Sequence, residues 1–208
     1  MVRNPLPEPS LLVITDQAPD NRHIEDVVRD SLGAGCRWVM YRDKAASEAT
    51  FLSTATGLVS ICKEFGAILT VNQRMEVAEA VSSNSLHLQR SEDVAIGRAL
   101  LGRSSLIGVS CHSIEDAQAA EAAGADYVTL SPIFETASKP GYGPTIGLGG
   151  LAEASAEIDI PLIALAGIFP TNVGDCLRSG ADGVAVMGSV MQADNPCQVV
   201  TELLDAVK

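Results

Sequence analysis

Residues 161–191, PLIALAGIFPTNVGDCLRSGADGVAVMGSVM, constrain the fold of this chain most. An apolar run, a glycine turn, a short helix, Gly-Ala-Asp-Gly and a second apolar run follow one another, the pattern of strand, helix, strand. Residues 162–165 are apolar throughout and too few for a helix, as a parallel strand covered on both faces must be. Pro170 is expected in the first turn of the intervening helix, and Gly180 at its end. The strands end in Ala166-Gly167 and Met187-Gly188-Ser189, small residues that leave backbone N–H groups uncovered. A short helix starting near Ser189 would aim its positive end at the same space. In a barrel of alternating strands and helices, the loops after strands 7 and 8 form such a phosphate cup. The same glycines would also serve plain turns from strand to helix.

The rest of the chain repeats this unit. Short apolar strands are expected at 11–15, 38–41, 67–71, 85–88, 106–109 and 127–130, upstream of the two already described. Helices are expected at 23–34, 47–65 and 75–81, through Leu101, from Ser113, and at 148–158 and 196–207. Gly-Ala-Gly-Cys at 33–36, Gly-Ala-Asp-Tyr at 124–127 and Gly-Ala-Asp-Gly at 180–183 look like copies of one joint. Eight such units predict an α/β chain closed into a (β/α)8 TIM barrel, with its site at the C-terminal ends of the strands. An open doubly wound sheet would show a glycine-rich turn after strand 1, where this chain has Asp16-Gln17-Ala18-Pro19. The expectation is one barrel domain over 1–208, with 1–10 as a polar, proline-containing lead. The longest loop, 131–147, carries Lys139, three prolines and three glycines, as a lid or binding loop would.

The net charge of −12, with only 14 Lys and Arg, argues against nucleic acid as a partner. Five cysteines without metal-binding spacing read as reduced, mostly buried thiols. No stretch has the form of a signal peptide or a membrane span, so a cytoplasmic protein without membrane attachment is expected.

Against that acidic background the strand ends collect Arg42, Lys44, Asn72, Gln73, Ser110, His112, Ser131, Lys139, Gly167, Gly188 and Ser189, a set suited to an anionic, phosphate-bearing ligand. Ser110 and His112 are two apart and face the same way, while Cys111 faces the other. Cys111 therefore reads as packing rather than as a nucleophile. His112 fits either acid–base work or a satisfied loop position, and His87, inside a strand, reads as structural.

Taken together, Tyr41-Arg42-Asp43-Lys44, Val71-Asn72, Leu86-His87-Leu88, Gly108-Val-Ser-Cys-His-Ser, Ser131-Pro-Ile-Phe-Glu-Thr-Ala-Ser-Lys-Pro, Ala166-Gly167-Ile168 and Gly-Ala-Asp-Gly-Val-Ala-Val-Met resemble thiamine phosphate synthases and their TenI-type relatives. The resemblance runs from Leu11 over nearly the whole chain. It implies a (β/α)8 barrel, commonly a homodimer, acting on a phosphorylated thiazole in thiamin synthesis. By motif it assigns Arg42, Lys44, Asn72, Ser110 and Lys139 to a pyrophosphate in a synthase, and Gly167, Gly188 and Ser189 to the thiazole phosphate.

The departures from the synthase pattern are specific. Met40 stands where a synthase has glutamine, and Gln73 where it has a magnesium-binding aspartate. Gln89-Arg90-Ser91-Glu92 replaces the motif of the second such aspartate, so Glu92 is the sole candidate there, and Ala166 replaces a glycine. The resemblance is therefore closer to TenI-type thiazole tautomerases, with His112 as the acid–base residue and no cofactor. The alternatives are a thiamine-phosphate synthase using Mg²⁺, and a non-catalytic barrel that binds a thiazole or thiamin phosphate and regulates a partner.

Overall fold

The computed structural model describes residues 4–17, 19, 22–136 and 143–207. Eight parallel strands close into a barrel in strict chain order: β1 (Leu11–Ile14), β2 (Trp38–Tyr41), β3 (Ile68–Asn72), β4 (Ser85–Leu88), β5 (Leu106–Cys111), β6 (Tyr127–Leu130), β7 (Leu162–Leu165) and β8 (Gly183–Val186), with β8 pairing back to β1. Helices α1 (Ile24–Gly33), α2 (Glu48–Glu64), α3 (Met75–Ala80), α4 (Val94–Leu101), α5 (Ile114–Ala122), α6 (Gly147–Glu157), α7 (Val173–Arg178), α8 (Gly188–Met191) and α9 (Pro196–Val207) form the outer ring. This is the α/β (β/α)8 architecture predicted from the repeated unit.

The period of two along each strand sorts the core into two compartments. Leu12, Ile14, Trp38, Met40, Leu106, Tyr127, Ile163 and Ala185 fill the barrel interior. Leu11, Val13, Val39, Tyr41, Val128, Leu130, Leu162 and Val184 face outward into the larger apolar layer under the helices. The interior is dominated by one aromatic group: Tyr127 packs edge-on against Trp38 with centroids 4.9 Å apart and lies stacked beside His87 at 5.5 Å. Gly108, opposite Tyr127 across the β5–β6 pair, makes room for that ring, since a Cβ there would collide with it.

The repeated joint acts by hydrogen bonding at the N-terminal end of the barrel. Asp126 accepts the Ile107 N–H at 2.7 Å and returns its own N–H to the Ile107 carbonyl at 2.7 Å. Asp182 does the same with Leu162, at 2.8 and 2.9 Å. Each aspartate thus pins its strand to the one before it. Asp126 also takes Arg98 Nη2 at 2.7 Å and the Asn4 backbone and side chain at 3.2 Å each. Leu6 packs on the interior cluster from the same side, so residues 4–10 run across the bottom of the barrel and leave the opposite mouth open.

Two local expectations are corrected. Pro170 lies outside α7, whose N-cap is Asn172. Asn172 Oδ1 accepts the Phe169 N–H at 2.9 Å, and its Nδ2 donates to the Gly167 carbonyl at 2.8 Å, so an asparagine staple shapes the loop. Strand β5 runs on through Cys111, which places Ser110 inside the strand rather than beyond it.

Candidate active site

A cavity of about 820 Å³ opens at the C-terminal ends of the strands, within the range usual for small-molecule sites. Arg42, Lys44, Asn72, Ser110, His112, Gly167, Gly188 and Ser189 all line it. Lys139 lies outside the described residues. The structure adds Asp16, His87 and Gln89 to the lining. Asp16 follows β1 by two residues, so reading every strand end for polar groups would have found it. His87 was legible from the period of two, which turns it inward with Ser85 between the outward-facing Leu86 and Leu88.

Each group is positioned by its strand. The Arg42 N–H donates to Thr15 Oγ1 at 3.0 Å, and its guanidinium lies 3.2 Å from Asp16 Oδ1 and 3.8 Å from Met187 Sδ. Cys111 is buried against the helical layer, and burial pushes its thiol up to about 12, the wrong direction for a nucleophile. His112 sits one residue past β5. Its backbone N–H donates to Asp116 Oδ2 at 3.0 Å, and its ring Nδ1 lies 2.7 Å from the Ser131 carbonyl oxygen. Beneath it, His87 Nε2 is 2.9 Å from Ser110 Oγ, and burial drives its imidazole down to about 3, so His87 is neutral at physiological pH.

The two glycine loops meet on the other side of the mouth. Ala166 and Gly167 both have left-handed backbones, φ 80° and 68°. A Cβ on Gly167 would stand 2.5 Å from the Glu135 carbonyl and 2.6 Å from Phe134 Cβ, so that position accepts glycine alone. In α8 the Val190 and Met191 N–H groups bond to the Met187 carbonyl. Gly188 and Ser189 occupy the first turn, whose N–H groups have no acceptor within a helix.

The family resemblance implies Mg²⁺ for a synthase, and the residues present do not fit it. Gln73, at φ 63°, offers a neutral amide. Glu92 is 68% exposed, tied to Arg90 at 3.4 Å, and absent from the cavity lining. Asp16 is engaged by Arg42. Among the described residues no group of three His, Cys, Asp or Glu side chains could hold a metal ion. Mg²⁺ on a diphosphate is normally held by one or two carboxylates.

The sequence pattern of the family described as thiamine monophosphate synthase (TMP-TENI) matches residues 11–190. A putative thiamine-phosphate synthase of Geobacter sulfurreducens is 38% identical over 197 residues, covering 94% of this chain and 92% of its own. The thiamine-phosphate synthase of Methanospirillum hungatei JF-1 is 36% identical over 184 residues, 87% of this chain and 89% of its own. Among solved structures, thiamine phosphate pyrophosphorylase from Pyrococcus furiosus superposes with a TM-score of 0.84 at 30% identity, covering 95% of each chain.

Proposed function

The chain belongs to the thiamine monophosphate synthase family, the enzymes of thiamin biosynthesis, and from that membership we propose that it binds a phosphorylated thiazole and isomerises it by metal-free proton transfer. The loops at Gly167 and Gly188-Ser189 hold the phosphate, with Arg42 and Lys44 supplying positive charge at the mouth. The substrate is a thiazole carboxylate phosphate with an exocyclic double bond. His112 removes the ring proton and returns a proton to the exocyclic carbon, which leaves the aromatic isomer. One acid–base group can serve both transfers.

The observation that carries this reading is the contact of His112 with Ser131. A carbonyl oxygen only accepts, so Nδ1 of the neutral ring holds the proton and Nε2 carries the basic lone pair. His112 lines the same cavity as the two glycine loops.

A transferase reading, in which this barrel joins a hydroxymethylpyrimidine diphosphate to the thiazole phosphate, is supported by the names of the relatives at 36–38% identity and by Arg42, Lys44, Asn72 and Ser110 in one cavity. The donor set at Gln73 and Glu92 weighs against it. Purified protein offered the thiazole carboxylate phosphate alone, or the two transferase substrates with Mg²⁺, separates the readings: isomerisation without thiamine phosphate formation supports ours, and the reverse supports the transferase.

A further inference from the structure

Below the cavity, a line of polar side chains crosses a barrel interior that such folds normally fill with bulky branched residues. Trp38 Nε1–H donates to Thr70 Oγ1 at 2.9 Å. Thr70 Oγ1 in turn lies 2.7 Å from Ser85 Oγ, where either hydroxyl can donate. The Tyr127 hydroxyl is 3.1 Å from His87 Nδ1, and His87 Nε2 is 2.9 Å from Ser110 Oγ. Trp38, Thr70 and Tyr127 are fully buried and His87 is 2% exposed, while Ser110 lines the cavity.

The direction of the Tyr127–His87–Ser110 chain follows from its cavity end. An indole N–H can only donate, so Thr70 accepts from Trp38 and has its own proton to give. Ser85 Oγ, 2.7 Å away, can take that proton, and the Tyr127 phenol has His87 Nδ1 at 3.1 Å to donate to. The imidazole proton then sits on Nε2 and is given to Ser110 Oγ at 2.9 Å in preference to Thr129 Oγ1 at 3.4 Å, which turns the serine proton into the cavity. The opposite polarity would present a serine lone pair to an anionic ligand and lose a charge-assisted hydrogen bond.

We propose that His87 is a positioning residue: as the Nε2–H tautomer, with Tyr127 donating to its Nδ1, it fixes the Ser110 hydroxyl as a donor aimed at the bound anion. A serine hydroxyl otherwise rotates freely, and a donor oriented in advance needs no reorganisation when the ligand arrives. Burying Trp38, Thr70, Ser85, Tyr127 and His87 in a core costs desolvation unless every one is paired, and a paired network fixes one geometry. The neutrality of His87 at physiological pH keeps the polarity from reversing.

Nitrogen-15 NMR of the imidazoles in the ligand-free chain tests the tautomer directly. The expected result is His87 as the neutral Nε2–H form from pH 5 to 8, with Nδ1 at the shift of an unprotonated acceptor. An Nδ1–H tautomer or an imidazolium in that range overturns the proposal. Calorimetric titration with the phosphate ester of a hydroxyethylthiazole, which rests on the proposed function, reads the consequence. Ser110→Ala, His87→Leu and Tyr127→Phe should each weaken binding about three- to tenfold, the worth of one hydrogen bond. The Ser110→Ala/His87→Leu double variant should be no weaker than its worse parent, and His87→Gln, whose amide N–H can replace Nε2–H, should bind within about twofold of the wild type. Additive losses overturn the proposal. If His87→Leu does not fold, Tyr127→Phe and the tautomer decide it. If the wild type does not bind the ester, the thiazole reading fails and the tautomer alone decides the role of His87.

Discussion

His112 Nδ1 lies 2.7 Å from the Ser131 carbonyl oxygen, a contact that joins the end of β5 to the residue after β6 and sets which ring nitrogen is basic. Replacing His112 by alanine removes the base and leaves the phosphate loops intact. We expect His112→Ala to keep the fold and the thiazole phosphate affinity and to lose about 10²–10⁴-fold in isomerisation rate, the usual contribution of a positioned acid–base group. Stopped-flow absorbance of the aromatising ring, beside calorimetric binding, checks both halves.

Gln73 stands in the left-handed region at φ 63° on the cavity wall. Aspartate tolerates that conformation at least as well as glutamine, so Gln73→Asp should fold normally and restore a carboxylate beside Asn72. Mg²⁺ together with inorganic pyrophosphate should then raise the melting temperature of the variant measurably more than that of the wild type. Equal shifts in the two proteins would mean that position 73 does not govern metal binding.

Gly167 has no room for a methyl group and sits at φ 68°. Gly167→Ala should cost about 2 kcal/mol or more from the left-handed backbone and the collision with residues 134–135. For a chain of this length that is a fall of roughly 4–8 °C in melting temperature. Phosphate-ester affinity should fall with it, because the loop must move to admit the methyl group.

His87 gives the stability of the protein an acid limb. Its imidazole titrates at about 3 when folded, against 6.5 in the open chain, so between those values the unfolded state binds more protons. Stability is full above about pH 6.5 and falls as pH drops toward 3, by roughly 2 kcal/mol at pH 5 from this group alone. Urea denaturation at pH 7.5 and pH 5 should therefore show a smaller loss for His87→Gln than for the wild type. Identical losses would contradict a buried neutral His87.

The barrel was legible because its signals are local: four-residue apolar strands covered on both faces, helices stopped by glycine, and a joint used repeatedly. The role of that joint was not legible, because the bonds from Asp126 and Asp182 reach back 19 and 20 residues to Ile107 and Leu162. Strand ends identified Arg42, Asn72, Ser110 and His112 as lining groups, since the topology brings the C-terminal ends of all eight strands to one mouth. The interior network escaped because it depends on which inward side chains meet across the barrel. Tyr127 reaches His87 two strands away, only because Gly108 between them has no side chain. Pro170 misled for a local reason: the Asn172 side chain bonds back to Phe169 and Gly167 and keeps residues 169–171 in a turn, so the helix starts only at Val173.

The central claim is metal-free isomerisation, and its most direct test is the wild-type protein with thiazole carboxylate phosphate in the presence of EDTA, followed by proton NMR in D₂O. The account predicts conversion to the aromatic isomer far faster than in buffer, with solvent deuterium entering the exocyclic carbon and no dependence on added Mg²⁺. Conversion at the buffer rate, alongside Mg²⁺-dependent thiamine phosphate formation when a hydroxymethylpyrimidine diphosphate is supplied with thiazole phosphate, would contradict it and make this barrel a transferase.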